Sequence, residues 1–277
     1  MNCSRRYLLC TCCDDQYAPG LFVMLASLMR NAHELLSQSD KVVMFAPQIS
    51  NFSCQNRTTA RSIVPDIQFE AINQPAYRDV ELNSTHQTRR SALLTLEAFR
   101  PRDRHYEKII FFDSDMLCIN SFSDAVSRTT SDISAVPAGH YRSANRSINT
   151  GFFILQFDQF ADGMVYRQMI DAMKMRNKLT WGLDQPIINQ WIEEQSPTIE
   201  YLPHEFNLKS DGLALFESAD IPIFGTVPRI LHFCGTGVTK PWMTDPEVEL
   251  KYRKAYAEWY AVKNEWNQRS IRSTFLT

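Results

Sequence analysis

Two aspartates separated by one residue, Asp113 and Asp115, close the run Lys108-Ile-Ile-Phe-Phe-Asp-Ser-Asp-Met-Leu117. Paired carboxylates at the end of an apolar strand are suited to a divalent cation, because ligands of open α/β sheets settle outside the carboxyl ends of the strands. A second apolar run, Pro228-Arg-Ile-Leu-His232, ends in an imidazole and is followed by Gly235, Gly237 and Lys240. Glycines let a ligand approach the backbone, and a lysine ammonium is a point charge for phosphate. Together Asp113, Asp115 and His232 make an O,O,N set that suits Mn²⁺ better than Mg²⁺, which prefers oxygen throughout. Singly, each has an ordinary alternative: Asp-Ser-Asp as a solvated turn, and the histidine as a hydrogen-bonded strand end.

Other polar residues stand beside apolar runs. Asn149 and Gly151 begin the run Asn149-Thr-Gly-Phe-Phe-Ile-Leu-Gln-Phe157, and Asp184-Gln185 immediately precede Pro186. The proline puts that pair in the first turn of a helix, where polar residues are commonly caps. A strand followed by Asp-x-Asp also opens the haloacid-dehalogenase-type phosphatases, whose first aspartate is a nucleophile. That chemistry needs a later Gly-Asp pair, and the chain has no Gly-Asp dipeptide.

The elements that must carry these residues follow from periodicity. Ile109 to Phe112 are apolar without alternation, the pattern of a strand buried on both faces. Tyr7–Cys13, Val42–Ala46, Ile67–Ala71 and Asp132–Val136 read as further strands. Pro19 opens a helix over Leu21–Met29, Arg89–Phe99 reads as a helix with Ala92, Leu93, Leu96 and Phe99 on one side, and Asp158 is expected to cap the helix after Phe157. Repeated strand–helix units predict a Rossmann-like open sheet, yet no G-x-G-x-x-G follows the first strand. Thr244-Asp-Pro-Glu247 is a capping box, and Val248, Tyr252, Tyr256, Trp259 and Trp266 recur at helical spacing behind it. Residues after Gln268 read as a frayed end.

With 277 residues and 44% hydrophobic content the chain can bury a large core, and a net charge of −2 gives no footprint for nucleic acid or an anionic membrane. No run of 18 apolar residues occurs and no secretory pattern opens the sequence, so the expectation is cytoplasmic, with no membrane partner. Seven cysteines scattered through apolar segments suit reduced thiols, and the single C-x-x-C of Cys10 and Cys13 lacks the second pair of a zinc site.

In combination, the chain resembles the family 8 retaining glycosyltransferases, and within them the glycogenin-like branch, from Tyr7 to Trp242. The likeness is carried by Phe112-Asp-Ser-Asp-Met116, Asn149-Thr-Gly-Phe152, Asp184-Gln185, Leu202-Pro203 with Asn207-Leu208, and His232-Phe-Cys-Gly235 leading to Lys240-Pro-Trp242. Asp14-Asp-Gln-Tyr-Ala-Pro-Gly20 and Ala46-Pro-Gln-Ile-Ser50 also match. The resemblance implies a single α/β domain over residues 1–242, of the Rossmann-like, glycosyltransferase-A type, with a mixed, mostly parallel sheet. Residues 243–277 would form an amphipathic helix and tail packed on that domain or on a dimer partner, a homodimer being a habit of the branch.

It further implies a UDP-hexose donor with Mn²⁺ on its diphosphate, Mg²⁺ being the second candidate, and a glycan or glycoprotein acceptor. Asp113, Asp115 and His232 match the metal ligands, with Ser114 between the aspartates in the donor site. Lys240 and the loop of Gly235 and Gly237 match the phosphate contacts, Tyr17 the uracil-stacking position, and Thr11 the base site. Arg89 or Arg90 would reach the diphosphate, while Asn149, Asp184 and Gln185 match positions at the donor sugar. Leu208 to Phe224 contains no tyrosine, which argues against a self-glucosylating primer of the glycogenin type. The loop from His232 to Lys240 is two residues longer than the glycogenin pattern. A cytosolic relative that does not prime itself resembles the α-galactosyltransferases that extend a glycan on a ubiquitin-ligase adaptor. The expectation is therefore a Mn-dependent hexosyltransferase using galactose or glucose; the alternatives are the self-primer and a catalytically silent sugar-nucleotide-binding subunit.

Overall fold

The computed structural model describes residues 5–81, 84–139, 147–175, 183–209, 213, 227–234, 240–243 and 252–274. Its apolar runs become strands β1 (Tyr7–Cys12), β2 (Ser39–Phe45), β3 (Gln68–Ala71), β4 (Lys108–Asp113), β5 (Met116–Cys118), β6 (Ile133–Pro137), β7 (Ile148–Gln156), β8 (Ile199–Tyr201) and β9 (Ile230–His232). Seven of them form one sheet in the order β3-β2-β1-β4-β7-β6-β8. Within it β7 runs against both neighbours, and every other pairing is parallel.

Every residue of β1 is buried, because the sheet is covered on both sides. Leu8 and Cys10 face a layer that includes Leu93, Leu96, Phe99, Met169 and Ile187. Tyr7 and Leu9 face the opposite layer, with Leu21, Leu25 and Leu28. The second layer is led by helix α1 (Ala18–Asn31), which has proline in its first turn, with the shorter α2 (His33–Ser37) and α3 (Cys54–Ile63) beside it. Helix α4 (Pro75–Asp79), a long 3₁₀ stretch (Ser84–Phe99), α5 (Ser123–Arg128), α6 (Met164–Met175) and α7 (Gln185–Gln195) follow. At the join between β4 and β7 the aromatic pairs Phe111–Phe153 and Phe112–Phe152 each stand 5.0 Å apart between ring centres. Burying an aromatic of this kind contributes roughly 1.5–3 kcal/mol, so the two strands that frame the site are firmly joined.

Several elements depart from expectation. The segment ending at Phe99 winds as a 3₁₀ helix starting at Ser84, and Leu93 to Phe99 are buried all round instead of on one side. Asp158 does not cap α6; it lies in a single 3₁₀ turn and pairs with His105 at 3.4 Å. Gly163, at φ +69°, delays the helix, and Asp162 Oδ1 accepts from Met164 N at 2.8 Å in its place. The last helix, α8 (Arg253–Thr274), continues past Gln268 with a Glu265–Arg269 pair one turn apart. Tyr252, immediately before α8, and Tyr256 and Trp259 within it are buried with Val23, Leu117, Leu231 and Phe233 of the same chain. Thr244-Asp-Pro-Glu247 and Val248 lie outside the described residues. Among the described residues no helix is long and apolar enough to cross a membrane.

Candidate active site

A short ribbon separate from the main sheet brings the two motifs together. β4 ends at Asp113, the chain turns through Ser114 and Asp115, and β5 begins at Met116. β5 pairs antiparallel with β9 in a register that sets Met116 opposite His232. Phe233 N donates to Asp115 O at 3.1 Å, which locks the end of the ribbon. His232 Nε2 consequently lies 3.4 Å from Asp113 Oδ2 and 3.1 Å from Asp115 Oδ1. The three side chains offer ligand atoms within 4.8 Å of one another.

β7 supplies the floor. One step beyond the Phe112–Phe152 pair lie Asp113 and Gly151. A Cβ on Gly151 would collide with the His232 ring and stand 2.9 Å from Asp113 Oδ2, so only glycine lets the strand pass beneath the ligand set. Gly20 does the same from α1, where a Cβ would meet Ser114 O at 2.7 Å and the Trp242 ring.

The electrostatics fit a cation. His232 Nε2 is buried and makes no hydrogen bond, an arrangement that is costly unless the atom serves another partner. Burial drives the Asp115 carboxyl upward, but the Lys240 ammonium and the His232 ring outweigh it and hold the group well below the usual carboxylate range. Asp113, with 34% of its side chain open to solvent, is pushed upward by partial desolvation and by the neighbouring charge of Asp115. Burial lowers His232, yet Cys234 next to it and the Asp115 and Asp113 carboxylates outweigh burial and raise it well above its ordinary value. Two carboxylates and an imidazole so placed form a mixed O,O,N donor set for a divalent metal.

Beside this set a cavity of about 120 Å³ is lined by Cys12, Cys13, Asp14, Tyr17, Ser91 and the turn from Asp113 to Asp115. Asp14 shapes it: Oδ1 accepts from Gln16 N (3.0 Å) and Tyr17 N (3.1 Å), and Oδ2 from Ser91 Oγ (2.9 Å). Tyr17 meets Trp242 edge-on at 6.0 Å, and Lys240 Nζ stands 5.6 Å from the Tyr17 ring centre. Lys240 also pairs with Asp115 and donates to Phe233 O at 2.6 Å. A larger cavity of about 280 Å³ between α1, α3 and α8 holds an Arg30–Glu265 pair but none of these ligands.

Beyond the ligand set, Asp184 occupies the N-cap position of α7 without a side-chain capping hydrogen bond, and Gln185 is the first residue of the helix. Burial, reinforced by the charge of Asp113, pushes the Asp184 carboxyl up to about 7. Asn189, one turn into α7, accepts from Ile148 N (2.7 Å) and donates to Ile148 O (2.9 Å), strapping the helix to the start of β7. The strap brings Asn149 to Gln185, and Asn149 Nδ2 donates to Gln185 Oε1 at 3.0 Å.

The structure thus brings Asp113, Ser114, Asp115, His232, Lys240 and Tyr17 to one site, with Asn149, Asp184 and Gln185 adjoining. Thr11 is buried in β1 with its hydroxyl 3.4 Å from Cys12 O, and the cavity wall is formed by its neighbours Cys12 and Cys13. Arg90 is engaged by the main-chain oxygens of Tyr77 (2.8 Å), Arg78 (2.7 Å) and Val80 (2.9 Å). The Arg89 side chain, Gly235 and Gly237 lie outside the described residues. Ser91 and Asn189 carry no signal in the sequence, and Asp14 and Asn207 stand there only as members of motifs. The strand-end position of Asp14 was a signal for it; a lone amide or hydroxyl in a helix or turn gave none.

A family model described as "Glycosyl transferase family 8" matches residues 8–245. Among solved structures, the chain is similar to an active-site mutant of LgtC, with a TM-score of 0.68 and 18% identity over 92% of this chain and 95% of that one. It is likewise similar to the galactosyltransferase LgtC in complex with donor and acceptor sugar analogs, with a TM-score of 0.65, 19% identity and coverage of 91% and 94%. The apo form of the glycosyltransferase GlyE of Streptococcus pneumoniae gives a TM-score of 0.61 at 17% identity, covering 96% of this chain and 64% of that one. No curated protein sequence matches the chain significantly.

Proposed function

We infer the reaction from one premise: the chain belongs to glycosyl transferase family 8, a family of retaining glycosyltransferases. We propose that it is a Mn²⁺-dependent hexosyltransferase that moves galactose, or as second choice glucose, from its UDP conjugate to a glycan or glycoprotein acceptor. Galactose is put first because LgtC, whose fold this chain shares, is described as a galactosyltransferase. The observation that carries the proposal is the convergence of Asp113, Asp115 and His232 Nε2 within 4.8 Å at the carboxyl end of β4.

Bound by these three residues, a divalent cation would supply positive charge to a departing diphosphate. Lys240 adds a fixed ammonium beside the same position and stabilises the negative charge that develops there. Tyr17 offers an aromatic face for the base, and Asp184, Gln185 and Asn149 would line the hexose. Departure and attack on one face of the sugar retain configuration without a carboxylate nucleophile. Free thiols at all six described cysteines support a reducing compartment, the cytoplasm.

The test is a panel of UDP-hexoses incubated with Mn²⁺ or with EDTA while donor cleavage and transfer are followed. We expect UDP-galactose turnover that EDTA abolishes and that Asp115→Ala lowers at least a hundredfold with the fold intact. Binding of UDP-sugars without turnover of any of them would sink the proposal in favour of a silent binding subunit.

A further inference from the structure

A main-chain N–H decides which nitrogen of His232 faces the carboxylates. The Gly151 N–H has no choice but to donate, and it does so to Asn149 Oδ1 at 3.1 Å. The oxygen end of the Asn149 amide is thereby fixed, and a second donor reaches it: Asn207 Nδ2, at 2.6 Å. With its NH₂ engaged, Asn207 turns Oδ1 to His232 Nδ1 at 2.8 Å. A carbonyl oxygen only accepts, so Nδ1 carries a proton, and Nε2 is the ring atom left to face Asp113 and Asp115. In the opposite direction Asn149 Nδ2 donates to Gln185 Oε1 at 3.0 Å, which leaves the NH₂ of Gln185 as the end of that amide not held by Asn149.

The backbone makes this chain of side chains stiff. Asn207 follows a 3₁₀ turn (His204–Phe206), and its N–H donates to His204 O at 3.0 Å. Leu208 then bridges to Leu231 of β9, with Leu208 N donating to Ile230 O and His232 N to Leu208 O, both at 2.9 Å. Asn207 is 1% exposed and has no freedom to turn its amide toward water.

We propose that Asn207 is a positioning residue shared by two halves of the site: its oxygen holds His232 as an Nε2 ligand, and its NH₂ holds Asn149 and through it Gln185. The proposal rests on the reading of Asp113, Asp115 and His232 as a cation site. Hydrogen bonds to the far nitrogen of a ligating histidine commonly govern metal affinity by about 10–100-fold. Asn207 differs in donating as well as accepting, so one amide sets the ligand and the sugar-side residues in a common register.

Two substitutions separate the two ends. Asn207→Leu removes both hydrogen bonds, whereas Asn207→Asp keeps an acceptor for His232 Nδ1 and loses the donor to Asn149. The experiment titrates Mn²⁺ into donor-free protein, following unbound Mn²⁺ by electron paramagnetic resonance, and then measures kcat and donor KM. Asn207→Leu is expected to weaken Mn²⁺ binding about 10–100-fold. Asn207→Asp is expected to bind Mn²⁺ at least as tightly as wild type, with kcat down tenfold or more and donor KM within threefold. Wild-type Mn²⁺ affinity in the leucine variant, or wild-type kcat in the aspartate variant, would overturn the proposal while the cation site stood. Equal loss of Mn²⁺ binding in both variants would overturn it as well, by reducing Asn207 to a packing residue. Failure of the wild type to bind Mn²⁺ would remove the cation reading, and this inference with it.

Discussion

Asp184 is held near Asp113 at a cost that depends on pH. Its carboxyl, raised to about 7 by burial and by the Asp113 charge, stays protonated in the folded protein over a range where the unfolded chain has released the proton. A raised folded-state pKa contributes stability that is fully present below the ordinary carboxylate value and is lost as pH rises through 7. Asp184→Asn removes that dependence. In metal-free protein, the stability of the variant relative to wild type should grow between pH 4 and pH 8 by up to roughly 4 kcal/mol, the value of about three pKa units. Urea denaturation at several pH values measures it, and a difference that stays constant with pH would refute the assignment. Asp113, Asp115 and His232 were legible in the sequence because a carboxylate or imidazole at the end of an apolar strand is rare enough to notice. Asn207 and Asn189 were not, since asparagine in a turn or on a helix is commonplace and its role lies in which neighbour each end of the amide meets.

The strap between α7 and β7 is the element-scale device that aims Asn149 and Gln185 at each other. Asn189 satisfies both main-chain groups of Ile148 and also donates to Gln185 O at 2.9 Å. Asn189→Ala would leave a buried N–H and C=O without partners, a loss of about 1–3 kcal/mol per group. We expect a destabilisation of about 2–6 kcal/mol in urea and a fall in kcat larger than the rise in donor KM. Unchanged stability would show that water or a shifted strand replaces the amide. Sequence periodicity exposed β1, β2, β4 and β7 because their apolar runs are continuous. It was silent on the direction of β7, since a strand buried on both faces reads the same forwards and backwards. The pairing of β5 with β9 was equally hidden, three residues against three being too short for any pattern. The start of α6 was misread because Asp158 resembles a cap, while the constraint came from the positive φ of Gly163.

At the scale of the whole molecule, α8 reaches back to the side of the site that holds Tyr17 and Lys240. Trp259 lies 5.9 Å from Trp242, which stands 6.0 Å from Tyr17. Tyr260 OH donates to Pro241 O at 2.7 Å, and Trp242 Nε1 donates to Gln16 O at 3.2 Å. The segment from Lys240 to Trp242 is thus pinned between α8 and the start of α1. Tyr260→Phe deletes one hydrogen bond of about 1 kcal/mol, which converts to about fivefold in affinity. Donor KM should rise by about that factor with kcat nearly unchanged, as initial rates against UDP-sugar concentration would show. A reduced kcat at constant KM would mean that α8 acts on the hexose side instead.

The β5–β9 ribbon also has a bearing on synthesis. Asp115 and His232 are more than one hundred residues apart in the chain and are brought together by that short pairing. A nascent polypeptide that has not yet extruded β9 possesses both carboxylates but no imidazole to complete them, and closing so long a loop is among the entropically expensive contacts of the fold. A cation that needs all three ligands binds the finished protein and ignores its fragments, so its binding energy accrues to the completed chain alone. Chains truncated before His232 would lack this contribution.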